Sequence, residues 1–443
     1  MVVGVRKICP PPTFLGTFDA AVSRARCDVV RMYNRSMRIL LLNLYYPPDT
    51  SATAKMAETV ANALARENAV TILCGRPSYD PTERRAWRLF QTEESGNVRI
   101  VRVGCTAFPR FNMKKRLLNY LSYTAMMIPR ALFAPCDAVL AMTDPPFEGI
   151  AGALVALLKR KPYYYNIRDM YPDMAVGGSI VAPGLLARIW ETLHRWSLRH
   201  ATKVIVLGED MRNRILGKGV RPDQIEIVRD GTEIVPADAQ PAQQTPHPQL
   251  DDEVIRAIRG NFAFVLLHAG NIGFYGAWET LVTAARRLAG DGIGLVFVGE
   301  GAQRAQLEFA AQGAANIRFL PFFPGSKIPS VLASGDVHLI TVKRGLEGVV
   351  VPSKMYGILA AGKPIVAVAP RETDAVALGE KLGFSVSADP DDPDQVAQVI
   401  RELAADPARI ARMREASLAA APAYDRVKEL EKFVRIVSRP WPR

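Results

Sequence analysis

From Met37 onward, short apolar runs alternate with segments whose apolar residues recur at helical spacing. The runs cover 38–46 (RILLLNLYY), 69–75 (AVTILCG), 98–103 (VRIVRV), 137–142 (DAVLAM), 162–168 (PYYYNIR), 203–208 (KVIVLG) and 225–230 (IEIVRD). Helical segments such as 52–67 and 185–200 fall between most of them. A strand covered on both faces reads as a continuous apolar run, so the pattern predicts a parallel sheet with helices on both sides. The alternation lapses over 236–260, where Pro, Gln and Asp gather, and a linker is predicted there. A second series follows at 264–270, 294–299, 317–322, 337–342, 364–368 and 384–388. Beyond it, 407–437 is helical in pattern. Tyr424, Val427, Leu430, Phe433, Val434 and Val437 form one apolar stripe that must pack on a domain.

The fold class is therefore α/β, with two doubly wound, Rossmann-like parallel-sheet domains facing each other across a cleft. The expected divisions are a disordered extension (1–36), a first domain (37–235), the linker (236–260), a second domain (261–420) and a C-terminal helix (421–443) packing back on the first domain. The extension is set apart by three consecutive prolines, Pro10 to Pro12, and by the lack of any sustained period.

Composition narrows the class without naming a function. With 443 residues, 49% hydrophobic and 23% charged, the chain is globular. Its 56 Lys and Arg against 44 Asp and Glu give a net charge of +12, which favours an anionic partner. Five cysteines without CxxC spacing point to reduced thiols rather than a disulfide framework. The apolar stretches at 117–134 and 150–158 are interrupted or too short to span a bilayer, which takes about 20 residues.

The strongest chemical cluster is 341–368, TVKRGLEGVVVPSKMYGILAAGKPIVAV. A strand ends near Val342, a basic glycine-containing loop follows, and Ser353 precedes a helix that Gly362 and Pro364 terminate. Free amides at that helix start, the Ser353 hydroxyl and Lys354 would suit a diphosphate, with Lys343 and Arg344 adding charge. A capped surface helix with solvated lysines would show the same pattern. A second cluster, 267–281, places Gly270, Gly273 and Gly276 after a strand, where backbone amides can approach phosphate. Glu300, in the VGEG turn, can accept from a sugar hydroxyl or start a helix. In the first domain Asp49, Thr50 and Ser51 follow a strand, and helix capping is their simpler role. Arg168, Asp169 and Asp173 also end a strand, where charges are costly unless solvated or paired, and Asp169 is a candidate acid/base or hydroxyl-binding group. The DxD at 389–391 lies between prolines and reads as an acidic loop; the five histidines are not at ligand spacing, and His268 and His338 fall inside strands. No Walker, HExxH or GxSxG motif is present.

In order, RILLLNLYYPPD, TDPPFEGIAGALVALLKRKPYYYNIRDMYPD, LLHAGNIG, LVFVGEG, IRFLPF and VPSKMYGILAAGKPIVA resemble the retaining glycosyltransferases of family 4, of the WbuB and WcaI type that builds O-antigen, capsule or colanic-acid polysaccharide. The resemblance covers about residues 37–440. It implies the GT-B fold, a nucleotide-diphosphate sugar as co-substrate held by the second domain, a lipid-linked saccharide acceptor held by the first, and neither cofactor nor metal. Asp169, Lys354 and Glu347 then become the catalytic candidates. Gly270, Asn271, Gly273, Glu300, Lys343, Arg344, Ser353 and Lys354 become the donor side, and Asp49, Thr50, Ser51, Arg168 and Asp173 the acceptor side. The chain departs from the family pattern in two places. Asn271 and Tyr275 or Gly276 stand where an arginine and a lysine grip the diphosphate, and Gly357 stands where a glutamate holds the ribose. Lys354, Lys343 or Arg344 would have to supply the missing charge, and Glu347 the missing carboxylate.

Arg110, Lys114, Lys115, Arg116 and Arg130 lie in 108–133 with aromatic and apolar neighbours and no acid. That composition suits an anionic bilayer surface. A cytoplasmic protein, peripheral on the inner face of the inner membrane, is the expectation, with no nucleic-acid partner. Two other readings remain open from sequence: a nucleotide-sugar epimerase of the same fold, and a non-catalytic basic scaffold for membrane or nucleic acid.

Overall fold

The computed structural model describes residues 36–78, 87–108, 113–233 and 250–438. The N-terminal extension, Arg110 and most of the 236–260 segment lie outside them. The first domain holds an eight-stranded sheet in the order β3-β4-β2-β1-β5-β6-β7-β8. Its strands are β1 (Arg38–Leu42), β2 (Ala69–Cys74), β3 (Phe90–Ser95), β4 (Val98–Val103), β5 (Ala138–Ala141), β6 (Tyr163–Asn166), β7 (Lys203–Val206) and β8 (Ile225–Ile227). Every pairing is parallel except β3 with β4. The sequence pattern does not reveal β3 because FQTEES is a polar edge strand with no face to bury. Gly96, at φ +56°, opens the tight turn that folds it onto β4.

The second sheet is wholly parallel in the order β11-β10-β9-β12-β13-β14. It comprises β9 (Phe264–Ala269), β10 (Ile293–Val298), β11 (Ile317–Leu320), β12 (Val337–Thr341), β13 (Ile365–Val368) and β14 (Ser385–Ala388). These two strand orders change direction between β1 and β5 and between β9 and β12. In open parallel sheets a ligand crevice lies outside the carboxyl ends of the strands at that switch point.

In the first domain the helices are α1 (Ala52–Leu64), α2 (Met113–Phe133), α3 (Glu148–Lys159), α4 (Asp173–Gly177), α5 (Leu185–His200) and α6 (Glu209–Gly217). Next comes α7 (Asp252–Arg259), which corrects the expected linker end. Asp251 caps it by accepting from the Glu253 and Val254 amides, and Val254 and Ile258 bury against Val265 and Leu267. Two buried positions in so short a helix are too weak a period to read from sequence. The second domain continues with α8 (Trp278–Arg287), α9 (Arg304–Ala310), α10 (Ile328–Ser334), α11 (Lys354–Ala360), α12 (Asp374–Leu382), α13 (Pro393–Ala404), α14 (Pro407–Ala420) and α15 (Arg426–Val437).

The C-terminal part of the stripe finds its partner in the first domain, whereas Val427 stays exposed and Tyr424 packs against Tyr356 of the second domain. Phe433, Val434 and Val437 are buried with Ile39, Leu41, Val60 and Leu64, while Asp425 caps the helix through the Val427 amide. Where the chain crosses back, the Thr232 amide donates to the Tyr424 carbonyl at 3.0 Å. Another apolar cluster is continuous across both domains, joining Leu40, Tyr165 and Val206 to Leu346, Val349 and Tyr356. Phe433→Ala leaves a cavity against β1 and α1, and the expected cost is about 3–5 kcal/mol. Denaturant unfolding followed by circular dichroism checks it: a midpoint indistinguishable from the parent would show that α15 does not hold the first domain.

Candidate active site

The end of β6 carries three charges, and two of them are neutralised by long-range partners. Arg168 Nη2 contacts the Asp230 carboxylate at 2.6 and 2.5 Å. Asp173 receives Arg214 at 2.9 Å and Lys218 at 2.7 Å. These pairs brace the strand end through Arg168 and Asp173. Asp169 has no such ion pair among those of the described residues. Burial, reinforced by the charge of Asp144, pushes its carboxyl up to about 6, against the opposing pull of Arg168.

Asp144 is absent from the sequence-based candidates, although TDPP directly after the β5 run carries the same signal as RDMYPD after β6. The structure places it at the first sheet's switch point, where burial pushes its carboxyl up and a hydrogen bond from Thr53 opposes that. The loop after β1 is organised by its own residues. Ser51 caps α1 by accepting from the Ala54 amide at 3.1 Å, and Asp49 accepts from the Ser78 amide at 2.9 Å. Thr50 is exposed and makes no cap.

On the second domain's side, the turns after β9 and β10 approach so closely that only glycine fits. A Cβ on Gly299, whose φ is +150°, would lie 2.0 Å from the Gly270 carbonyl oxygen, and one on Gly301 would lie 2.2 Å from that of Ile272. Against this surface lies Lys354, the first residue of α11. Its Nζ is 2.9 Å from Nδ1 of His268, and its stem borders Gly270. Burial lowers the lysine to about 7. His268 is held well below its ordinary value by burial and then by the Lys354 charge, so a neutral ring faces the ammonium. His268 is thus a core residue that also touches the site, which its place inside a strand concealed.

The remaining donor-side candidates are distributed differently from expectation. Arg344 is an exposed side chain held by Asp389 at 2.6 and 2.8 Å and by Asp391 at 2.6 Å, so it does not join Lys354. Lys343 donates its amide to the Tyr275 carbonyl and lines a separate hollow of about 590 Å³ with Gly276 and Trp278. The Ser353 hydroxyl makes no capping hydrogen bond, because Ser353 has helical rather than extended backbone angles. Glu347 turns back to accept from the Gly345 amide at 2.8 Å. The Glu300 carboxylate pairs with Arg304 at 2.5 Å. Asn271 accepts the Tyr275 hydroxyl on its carbonyl at 2.6 Å, and the Gly273 carbonyl accepts the Trp278 indole at 2.6 Å. Gly270 and Lys354 are brought together; Lys343, Arg344 and Glu347 are not brought to them.

The two sides meet through backbone. Asp169 and Val350 form an antiparallel bridge, and the Met170 amide donates to the Val349 carbonyl at 2.9 Å. This contact sets the β6 end beside the turn that begins α11. A half-buried carboxyl and a half-buried ammonium without a carboxylate partner thus stand on adjoining loops. The first can bind or deprotonate a hydroxyl, and the second can meet an anion. Among the described residues, no three His, Cys, Asp or Glu side chains gather in a way that could hold a metal ion.

Asp169 carries a stability cost whose sign can be worked out. An acid raised by the fold is protonated in both states at low pH; the cost builds as pH rises from the usual carboxylate range to about 6 and stays constant above. Asp169→Asn is therefore expected to raise the melting temperature at pH 8, by the equivalent of roughly 1–3 kcal/mol, with a difference that shrinks towards pH 4.5. Thermal melts of both proteins across that range check it, and a lower melting temperature for the variant at pH 8 would mean that the carboxylate is paired.

Comparison with known proteins gives two domain matches in chain order. Residues 51–231 match the model of a glycosyl transferase 4-like domain, and residues 263–406 match that of glycosyl transferases group 1. The putative colanic acid biosynthesis glycosyl transferase WcaI of Escherichia coli is 25% identical over 386 residues, covering 83% of this chain and 92% of its own. Among solved structures, HepE of Anabaena in complex with UDP-glucose superposes with a TM-score of 0.63 at 16% identity, covering 91% of this chain and 100% of its own. WaaG, a glycosyltransferase involved in lipopolysaccharide biosynthesis, gives 0.63 at 15% identity, covering 90% and 99%. With both domain models matched along one chain and two parallel sheets facing across a cleft, the chain belongs to the family-4 glycosyltransferases and has their GT-B fold.

Proposed function

We propose that the chain moves a sugar from a nucleotide-diphosphate sugar to a hydroxyl of a lipid-linked saccharide, with retention at the anomeric carbon, in the building of a cell-surface polysaccharide. The observation that carries the reading is Lys354: a half-buried ammonium beside Gly270, with a neutral imidazole and no carboxylate for company. A diphosphate seated on the β9 and β10 turns supplies the missing negative charge. As the bond from the anomeric carbon to the phosphate oxygen breaks, the electron pair leaves with the diphosphate. Charge grows next to Lys354, which then stabilises the transition state more than the ground state. Asp169, across the cleft, accepts a hydrogen bond from the acceptor hydroxyl and orients it. This account needs no resident cation, and turnover is expected to survive EDTA.

The relatives support the substrate classes. HepE binds UDP-glucose in its solved complex, and WcaI and WaaG carry polysaccharide and lipopolysaccharide biosynthesis in their descriptions. The membrane side is supported by α2, where Met113, Leu117, Leu118 and Leu121 are exposed on a helix that also bears Lys114, Lys115, Arg116 and Arg130. No helix among the described residues is long and apolar enough to cross a membrane.

Incubation of the purified chain with a panel of nucleotide sugars and a bacterial lipid extract tests the reading. Release of nucleoside diphosphate with label in the lipid fraction supports it; an epimerised nucleotide sugar, or nucleic-acid binding without turnover, overturns it. Lys354→Met keeps the apolar stem without the charge and is expected to lower turnover by about 10²- to 10³-fold. Arg344→Met, whose guanidinium is already held by Asp389 and Asp391, should stay within about twofold; the reverse ranking would move the cation.

Linkage adds a pH signature. Lys354 loses its proton as pH rises through about 7 in the free protein, while a bound diphosphate would hold the proton on. UDP affinity should then weaken by about tenfold between pH 7.5 and 9, and Lys354→Met should flatten that slope. Calorimetric titrations at the two pH values check it, and equal slopes would remove Lys354 from the diphosphate.

A further inference from the structure

On one face of the first sheet α2, α3 and α5 lie side by side, and several of their outward positions are apolar. Leu117, Leu121, Leu157, Leu158, Leu185 and Leu186 are each 50–79% exposed. Soluble surfaces usually scatter such residues singly, and a large contiguous patch marks an interaction site. Between α2 and α5 this face folds inward into a groove of about 530 Å³ whose walls include Leu117, Phe147, Ile180, Ile189 and Trp190, a size within the usual range of small-molecule sites. Two charged residues line it, Lys114 and Arg116, and both are cations. Arg116 bonds the Tyr120 hydroxyl and lies over that ring at 5.4 Å. Near Arg116 the groove also reaches Tyr171, which stacks on Trp190 with ring centroids 5.9 Å apart. Tyr171 follows Asp169 by one intervening residue, and the charges of Asp169 and Asp144 both act on its hydroxyl. A recess thus runs from an exposed apolar face, past two cations, to the cleft.

We propose that this groove receives the hydrocarbon tail of a membrane lipid phosphate, with Arg116 and Lys114 on the phosphate, so that a saccharide carried by that lipid is delivered to Asp169. The proposal rests on the reading of a lipid-linked acceptor and gives that acceptor a seat. A second copy of the chain fits the same face poorly. A two-fold interface would set α2, which has four cations and no acid, against itself, whereas an anionic leaflet neutralises it. The concave shape separates tail capture from simple adsorption: α3 contributes to the outer face through Leu157 and Leu158, which do not line the groove.

The experiment is a calorimetric titration of the full chain with decyl phosphate below its micellar concentration. Inorganic phosphate and decanol are run beside it, and the oligomeric state is followed by sedimentation. The expected result is 1:1 binding of decyl phosphate, at least tenfold tighter than either control. Val181→Trp, which fills the groove, and Leu186→Glu, at its exposed rim, should each weaken binding at least tenfold. Should Val181→Trp fail to fold, Leu186→Glu carries the comparison. The double variant Leu157→Glu, Leu158→Glu should keep decyl phosphate binding while losing affinity for phosphatidylglycerol vesicles. The proposal is overturned by inorganic phosphate binding equally well, by groove variants that bind like the parent, or by a dimer that decyl phosphate does not dissociate. If decyl phosphate fails to bind while label still enters the lipid fraction, the groove is wrong and the lipid-linked acceptor stands. If label instead enters only water-soluble saccharide, both fall.

Discussion

The cleft depends on a short antiparallel contact between residues 169–170 of the first domain and 349–350 of the second. Backbone hydrogen bonds cannot be exchanged for other side chains, so this contact fixes the register of one loop against the other whatever else varies nearby. Apolar burial holds it. Leu346 and Val349 leave the second domain's loop to join the cluster that includes Met170 and Val206, and a Cβ on Gly177 would meet Leu346 Cδ2 at 2.4 Å. Arg214 reaches from α6 to the Glu347 carbonyl at 2.9 Å. The loop that precedes Lys354 is therefore packed by the opposite domain, and the position of Lys354 relative to Asp169 is a property of both.

The second junction uses helix ends. Asp374, which opens α12, accepts from the Glu209 and Asp210 amides at the start of α6, and Asp210 accepts from the Asp374 amide at 3.2 Å. Each domain thus caps a helix of the other. The arrangement places two carboxylates at close quarters. Burial and then the Asp374 charge push Asp210 up to about 6, while Arg229, 2.8 Å from Asp374, offsets part of that repulsion. Such a cluster is polar and costly if opened partway, because three amides and two carboxylates would lose their partners together. It resists small relative tilts of the domains more than an apolar contact of equal area.

The sheets were legible because covered parallel strands leave unbroken apolar runs, and the polar strand β3 was not, since an edge strand with no buried face has no such run. At the site, legibility followed the range of the interaction. Lys354 and Gly270 could be read from local turns, and Asp169 from a charge placed where a strand meets a cleft. Partners distant in sequence were invisible. Arg168 is 62 residues from Asp230, and Arg344 is 45 from Asp389, so nothing local distinguished charges already spent on structure from the one left over. Ser353 shows the same limit at short range, for residue type suggested a cap and backbone angles withheld it.

The directions of the two titrations then act as a ruler. A carboxylate and an ammonium in contact hold each other charged, the acid moving down and the lysine up. Asp169 and Lys354 run the other way, the acid up to about 6 and the lysine down to about 7. Burial is the leading cause for both, and neither acts on the other. Each is half-buried and unpaired, with a gap between them, although the backbone contact keeps their loops adjoining. A fold that only needed stability would close such a gap or replace both groups, because unpaired enclosed charges cost free energy. One group of each sign on adjoining loops fits the two reactants proposed above, a donor whose diphosphate meets Lys354 and an acceptor whose hydroxyl meets Asp169.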